Sequence, residues 1–143
     1  MLHAVWLALA LWAQSPQQDL LALEAHIATL KGQRASLRTY GDNAAREELD
    51  RKVKLLEGAL DQAHAIIQRQ QDHCVRTVPP QVVRPGQQLN NPCAVVGQGV
   101  VGSVVRLLEI REKLKTARTW ADGARRDGLQ AEAKALEQSL GLR

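Results

Sequence analysis

Three glycines after the second cysteine, Gly97, Gly99 and Gly102, have the G-x-G-x-x-G spacing with which many α/β proteins hold a dinucleotide. That site needs a strand before the first glycine, and a second strand ending in an acidic residue about 20 residues after the motif. Asp122 lies at that distance, but the intervening residues have the periodicity of a helix, and only residues 94–96 could form the first strand. We therefore predict no nucleotide site and expect the glycines to allow close helix packing.

Residues for acid/base or nucleophilic catalysis form no recognisable cluster. Glu47, Glu48 and Asp50 occupy a charged helix start, which is typical of a solvated first turn. The serines lack a nucleophile elbow or a nearby histidine. An active site of charged side chains between helices is the alternative, and Arg34, which interrupts an apolar stripe, is its candidate inward-pointing cation.

The two cysteines, Cys74 and Cys93, flank a proline-rich segment. In an exported protein such a pair normally forms a disulfide. The rival is a metal site with His73 and His64, but it lacks the CxxC or HxxxH spacing of zinc sites. We predict a Cys74–Cys93 disulfide and neither a metal nor a cofactor.

The N-terminal residues MLHAVWLALALWAQSPQQ contain an uncharged run from Ala4 to Ala13. This run is shorter than the roughly 20 residues of a membrane-spanning helix and has the length of a signal-peptide apolar region. No Lys or Arg precedes it, so a buried first helix or an uncleaved membrane-surface anchor is the alternative. We predict a signal peptide over residues 1–13 and export to the periplasm or cell envelope.

Composition favours helices over sheets. Hydrophobic residues make up 45% of the chain but Phe is absent, and a core of Leu and Ala suits thin helix–helix seams. The net charge of +4 lies mainly in residues 97–143, which hold nine basic and six acidic residues. This mixed surplus disfavours a nucleic-acid module, although Arg118, Arg125 and Arg126 leave a polyanion or membrane-surface binder as an alternative.

Two apolar series at helical spacing occupy the first half of the chain, and they differ in phase. The segment YGDN at 40–43 lies between them and favours a turn over a kink, because Gly often ends a helix and Asp or Asn often starts one. The first helix is expected over roughly 17–40. We predict a helical hairpin over residues 14–73, a disulfide-closed connector over 74–96 and a second, shorter hairpin over 97–143.

An internal repeat links the two halves. Residues 38–60 align with 118–140 at a constant offset of 80, without a gap and with ten identities. Such self-similarity indicates a repeated structural unit. The predicted fold is therefore all-α: two related antiparallel helical hairpins that form an elongated four-helix bundle or coiled-coil pair.

Each copy of the repeat carries the motif R-T-[YW]-x-D-x-A-x-R at the predicted hairpin tip. The aspartates are predicted to cap the second helix, and the arginines to pair with them from one turn further on. The rings are predicted to lie in the last turn of the first helix and to cover the tip. These residues are also the predicted partner-binding surface: Tyr40, Asp42, Arg46, Trp120, Asp122 and Arg126.

The functional prediction is an exported structural or protein-interaction component of the cell envelope, such as an adaptor, a subunit or a chaperone-like clamp, without catalysis. The expected partner is another envelope protein, a second copy of the chain, or both, because alanine-rich stripes would leave a marginal monomer. Nucleic acid is disfavoured, and peripheral membrane contact stays open. A small exported all-helical enzyme and a polyanion or membrane-surface binder are the alternatives.

Overall fold

The computed structural model describes residues 15–79, 85, 93–117 and 122–142. Within these ranges the chain is all-helical, without strands, which confirms the all-α prediction. Four α-helices pack against one another: α1 (Pro16–Ser36), α2 (Asn43–Thr77), α3 (Val100–Thr116) and α4 (Gly123–Ser139). The predicted signal peptide at 1–13 and the predicted contact residue Trp120 lie outside the described residues.

Helix α1 begins at a reciprocal cap. The Ser15 hydroxyl accepts from the backbone N–H of Gln18, and the Gln18 side chain accepts from the backbone N–H of Ser15, with Pro16 in the first helical turn. The helix ends at Ser36, four residues before the predicted end, because Leu37 has an extended backbone. The predicted boundary was therefore wrong.

The connection between α1 and α2 consists of residues 37–39 and a short 3-10 turn, Tyr40–Asp42. The helix is therefore interrupted between Ser36 and Asn43. Gly41 does not end α1, since it lies inside the 3-10 turn without a positive φ. Beyond the turn, the side chains of Gln17 and Gln71 bond at 3.2 Å and those of Lys31 and Glu57 pair at 2.8 Å, so the start of α1 lies beside the end of α2.

The hydrophobic core centres on α3. Its side chains Val104, Leu107 and Ile110 are fully buried, and α3 packs against each of the other three helices. Ala59 and Ala63 of α2 are also fully buried, and small side chains at these positions let neighbouring helices approach closely. Among the described helices, α4 packs against α3 and against no other.

The disulfide joins α2 to the segment that leads into α3. The Cys74 and Cys93 sulfurs lie 2.04 Å apart, at bonding distance, as the sequence predicted. Cys74 lies inside α2, which continues to Thr77. The rest of the predicted connector, apart from residues 74–79, 85 and 93–96, lies outside the described residues.

Gly97 is the glycine that makes the predicted close approach. Its φ is +101°, and a β-carbon there would lie 3.2 Å from Cγ1 of Ile67. Gly99 precedes α3 in the left-handed conformation. A side chain at Gly102 would meet open space, so the close-packing prediction was wrong for that residue.

Candidate binding surfaces

The first tip, residues 37–42, is closed by hydrogen bonds of Asp42. The Asp42 carboxylate accepts from the Thr39 hydroxyl at 2.6 Å and from the Thr39 backbone N–H at 3.3 Å. Asp42 occupies the position before α2, but its side chain does not cap that helix, so the capping prediction was wrong. The hydrogen bond from Thr39, aided by the positive charge of Arg46, holds the pKa of Asp42 below its usual value.

Arg46 ties the extended part of the first tip to the first turn of α2. Its guanidinium donates to the carbonyl oxygens of Leu37 at 2.8 Å and Thr39 at 3.0 Å, and to the side-chain oxygen of Asn43. It forms no direct ion pair with Asp42, so the predicted pairing is replaced by backbone contacts. Arg46 and Asp42 together fix the backbone on both sides of residue 40.

Tyr40 lies in the 3-10 turn rather than in the last turn of α1, so its predicted position was wrong. Its side chain does not cover the tip, because 93% of its surface is exposed. Single exposed apolar residues are common on protein surfaces. The backbone around Tyr40 is held in place by Asp42 and Arg46. Tyr40 is also the most exposed large apolar side chain in the described ranges.

The second tip connects α3 to α4, and its residues 117 and 122 are described. Arg126 donates to the carbonyl oxygen of Ala117 at 2.9 Å, just as Arg46 reaches the residue nine positions before it. Asp122 has φ −89° and ψ 7°, close to the −93° and 6° of Asp42, and it too makes no capping hydrogen bond to the following helix. The two tips thus share two features at the offset of 80.

Two interhelical ion pairs also occupy aligned positions, and they were not predicted. Lys31 pairs with Glu57 at 2.8 Å, and Arg111 pairs with Glu137 at 3.3 Å, again at an offset of 80. The identity of Glu57 and Glu137 is visible in the aligned repeat, but their cationic partners lie seven residues before it. The signal that could have found them is the shared positive charge of residues 31 and 111.

Arg34 does not point into the core. Its side chain is 49% exposed and pairs with Asp50 at 2.9 Å. The core of the described residues holds no buried charged side chain. Arg34, the candidate cation of the enzyme alternative, therefore lies on the surface and is paired with Asp50.

A shallow pocket of about 410 Å³ lies beside the second tip and is lined by Arg111, Leu114, Lys115 and Arg126. Each of its cations already has a partner: Glu137 for Arg111, Glu112 for Lys115 and the Ala117 carbonyl for Arg126. Binding an anion here would compete with these contacts. The pocket therefore gives little support to the polyanion alternative.

A larger cleft lies at the disulfide end of α2 and was not predicted. It has a volume of about 680 Å³ and is bordered by the C-terminal half of α2, the segment 93–99 and the residues that follow α4. Ile66, Val96 and Leu140 supply its apolar lining. Its polar lining includes three basic or titratable side chains of one helix: Arg69, His73 and Arg76.

Two features of the described ranges concern membrane insertion and metal binding. No described helix combines the length and the apolar character needed to cross a bilayer. Among the described side chains, no group of three or more His, Cys, Asp or Glu residues is placed to hold a metal ion.

The chain matches no protein-family model, no curated protein and no solved structure.

Proposed function

We propose that the protein is an exported interaction component of the cell envelope whose two tips bind a partner protein. In this proposal the chain consists of two related antiparallel helical hairpins in an elongated bundle. The observation that carries the proposal is Tyr40, 93% exposed on a hydrogen-bonded tip. The proposed contact residues are the six predicted from the sequence: Tyr40, Asp42, Arg46, Trp120, Asp122 and Arg126.

An exposed tyrosine on a fixed backbone suits protein recognition for two reasons. Tyr offers a large apolar ring and a polar tip, and it is enriched among the residues that dominate interface energies. The bonds of Asp42 and Arg46 already order the turn, so binding would immobilise little more than the ring itself. Asp42 and Arg46 thus act as supports of the contact surface rather than as its centre.

The offset of 80 supports the two-hairpin architecture. Arg46 and Arg126 reach equivalent carbonyl groups, and Lys31–Glu57 corresponds to Arg111–Glu137. Chemically equivalent side chains making equivalent contacts are the expected consequence of a repeated unit. This interpretation makes Trp120 the counterpart of Tyr40.

The direction of α3 supports a clamp with both tips at one end. A β-carbon at Gly97 would contact Ile67, and one at Gly58 would contact Leu108, so α3 runs back along α2 towards the first tip. The second tip therefore follows α3 at the same end of α2 as Tyr40. Two anchors on one partner would raise the overall affinity above that of either tip alone.

The envelope location rests on the disulfide and the predicted signal peptide. Disulfides persist in oxidising compartments and are rare in the cytosol. The Cys74–Cys93 bond therefore supports export, as does the apolar run at residues 4–13.

The proposal is tested by site-specific photo-crosslinking in cells. A photoreactive phenylalanine replaces Tyr40 in one variant and Gln62, an exposed α2 residue far from the tips, in the control. We expect a crosslink to a specific envelope protein from position 40 and not from position 62, and Tyr40→Ala should abolish co-purification without changing the thermal midpoint. Mass spectrometry of the N-terminus reports whether residues 1–13 are removed.

Two results would contradict the proposal. Crosslinks only to a second copy of the chain would replace the partner with self-association. Crosslinks to cytosolic proteins, with Met1 retained, would remove the envelope location.

A further inference from the structure

We infer that the cleft at the disulfide end of α2 is a second docking site and that it binds an acidic amphipathic helix of another protein. The cleft lies about 45 Å from the first tip, given the 1.5 Å rise per residue along α2 between residues 42 and 73. It uses none of the six tip residues. The inference therefore does not depend on the function proposed for the tips.

The charge of the cleft is of one sign. Arg69, His73 and Arg76 are spaced four and three residues apart, which places them on one face of α2 in a row of about 10 Å. No acidic residue is among the described residues that line the cleft. A helix with carboxylates at positions i, i+4 and i+7 presents a row of matching length and opposite charge.

The two arginines are available for such a partner. Within the described ranges neither Arg69 nor Arg76 forms an ion pair, and Arg76 donates only to the backbone carbonyl of Asp72, at 3.3 Å. Arginine binds carboxylates through two parallel hydrogen bonds, which gives both energy and orientation. Binding would therefore create new charge pairs without breaking existing ones.

The shape of the cleft favours a helix over a small ligand. Small-molecule sites usually enclose most of the ligand surface, whereas this cleft is largely open to solvent. Ile66, Val96 and Leu140 line the cleft beside the basic row, and Val96 is the most exposed of the three. An amphipathic helix can place apolar side chains against Val96 while its carboxylates meet the arginines, which is the helix-in-groove mode of recognition.

The disulfide builds one wall of this cleft. Cys74 lines it, and the bond to Cys93 holds the following residues, including Val96, against α2. The side chain of Gln71 adds a hydrogen bond to the carbonyl oxygen of Val96 at 3.3 Å. Reduction would leave that single side-chain bond and the contact of Gly97 with Ile67 to hold the wall, so the cleft should bind more weakly when the cysteines are reduced.

The test uses the purified full chain and two synthetic 18-residue peptides labelled with fluorescein. One peptide has leucines along one face and glutamates beside them at i, i+4 and i+7, and the other has lysines in place of the glutamates. Fluorescence anisotropy should give micromolar binding of the acidic peptide and at least tenfold weaker binding of the basic one. Dithiothreitol should weaken the acidic complex at least threefold while circular dichroism shows that the helices persist.

Matched variants distinguish binding at the cleft from attraction by the net charge of the protein. Arg69→Glu/Arg76→Glu should lower the affinity for the acidic peptide at least tenfold. Arg51→Glu/Lys52→Glu makes the same change in net charge on exposed α2 residues outside the cleft and should change it less than twofold. The helical content of both variants is checked by circular dichroism.

Three results would overturn the inference. The first is no binding of the acidic peptide at 100 µM protein. The second is an equal loss in the two double variants, which would show attraction by net charge alone. The third is binding of vesicles that contain phosphatidylglycerol, dependent on Arg69 and Arg76, with no binding of the peptide, which would assign the basic row to a membrane surface.

Discussion

The two helix pairs, α1 with α2 and α3 with α4, share side-chain contacts at aligned positions but differ in burial. Both pairs have an arginine bonded to the carbonyl nine residues before it and an ion pair at the same aligned positions. Leu107 of α3 is fully buried, whereas the aligned Ile27 of α1 retains 5% exposure, and α1 also leaves Leu21 63% exposed. The contacts at aligned positions thus follow the local sequence, while the place of a helix among its neighbours determines how completely its apolar face is covered.

The largest expected effect comes from truncating the core at aligned positions. Leu107→Ala should destabilise the protein by about 4 kcal/mol, and Ile27→Ala by about 2 to 3 kcal/mol, because a cavity beside three neighbouring helices can collapse less than one near the surface. Urea denaturation monitored by circular dichroism measures both changes. Equal losses would show that the two helices contribute equally to the core.

Much of the helical architecture could be predicted from the sequence. The apolar spacing located all four helices, and the cysteine pair with its proline-rich surroundings indicated the disulfide. Both predictions rest on residues that lie close together in the sequence. The end of α1 was missed because Leu37 adopts an extended backbone four residues before the glycine that was expected to end the helix.

The contacts within the tips were harder to predict. Spacing alone allowed Asp42 to cap α2 or to bond Thr39, and allowed Arg46 to reach Asp42 or the backbone carbonyls. In the structure the nearer hydroxyl and the exposed carbonyls of the extended segment are the partners. A single sequence does not rank competing acceptors that lie at similar distances.

The cleft could not have been assembled from the sequence. Its lining comes from α2, from the segment around Val96 and from Leu140 beyond α4, which are brought together by the disulfide and by the packing of α3. One part of it was visible: Arg69, His73 and Arg76 recur at helical spacing. The spacing alone does not show that this row faces a cleft, because the other wall comes from distant segments of the chain.

The disulfide gives the next largest effect and tests how the two helix pairs are joined. Cys74→Ser/Cys93→Ser should destabilise the chain by about 3 kcal/mol, since the bond closes a loop between residues separated by 19 positions. Urea denaturation of the oxidised, reduced and double-serine forms measures the change. A loss well below 1 kcal/mol would show that the contacts of Gly97 and Val96 already hold the pairs together.

Gly97 also tests how the two helix pairs are joined, with a smaller expected effect. Gly97→Ala should cost about 2 kcal/mol, because φ is +101° and the new methyl group would lie 3.2 Å from Ile67. Gly102→Ala is the matched control: it lies in α3 with open space around it and should stabilise the protein by up to about 1 kcal/mol. Thermal denaturation compares them, and a loss in both variants would contradict the assignment of the close contact to residue 97.

The smallest expected effect concerns the first tip at acidic pH. Because the pKa of Asp42 is lowered in the folded protein, its bonds to Thr39 are fully present above the ordinary aspartate pKa of about 4, and are lost as pH falls through the lowered value. The Thr39 amide resonance should therefore shift at a pH below 4, and Asp42→Asn should remove that transition. Asp61→Asn, an exposed α2 residue away from the tip, should leave it in place. A Thr39 transition that survives Asp42→Asn would mean that a carboxyl group other than Asp42 causes it, which would contradict the assignment of the bond to Asp42.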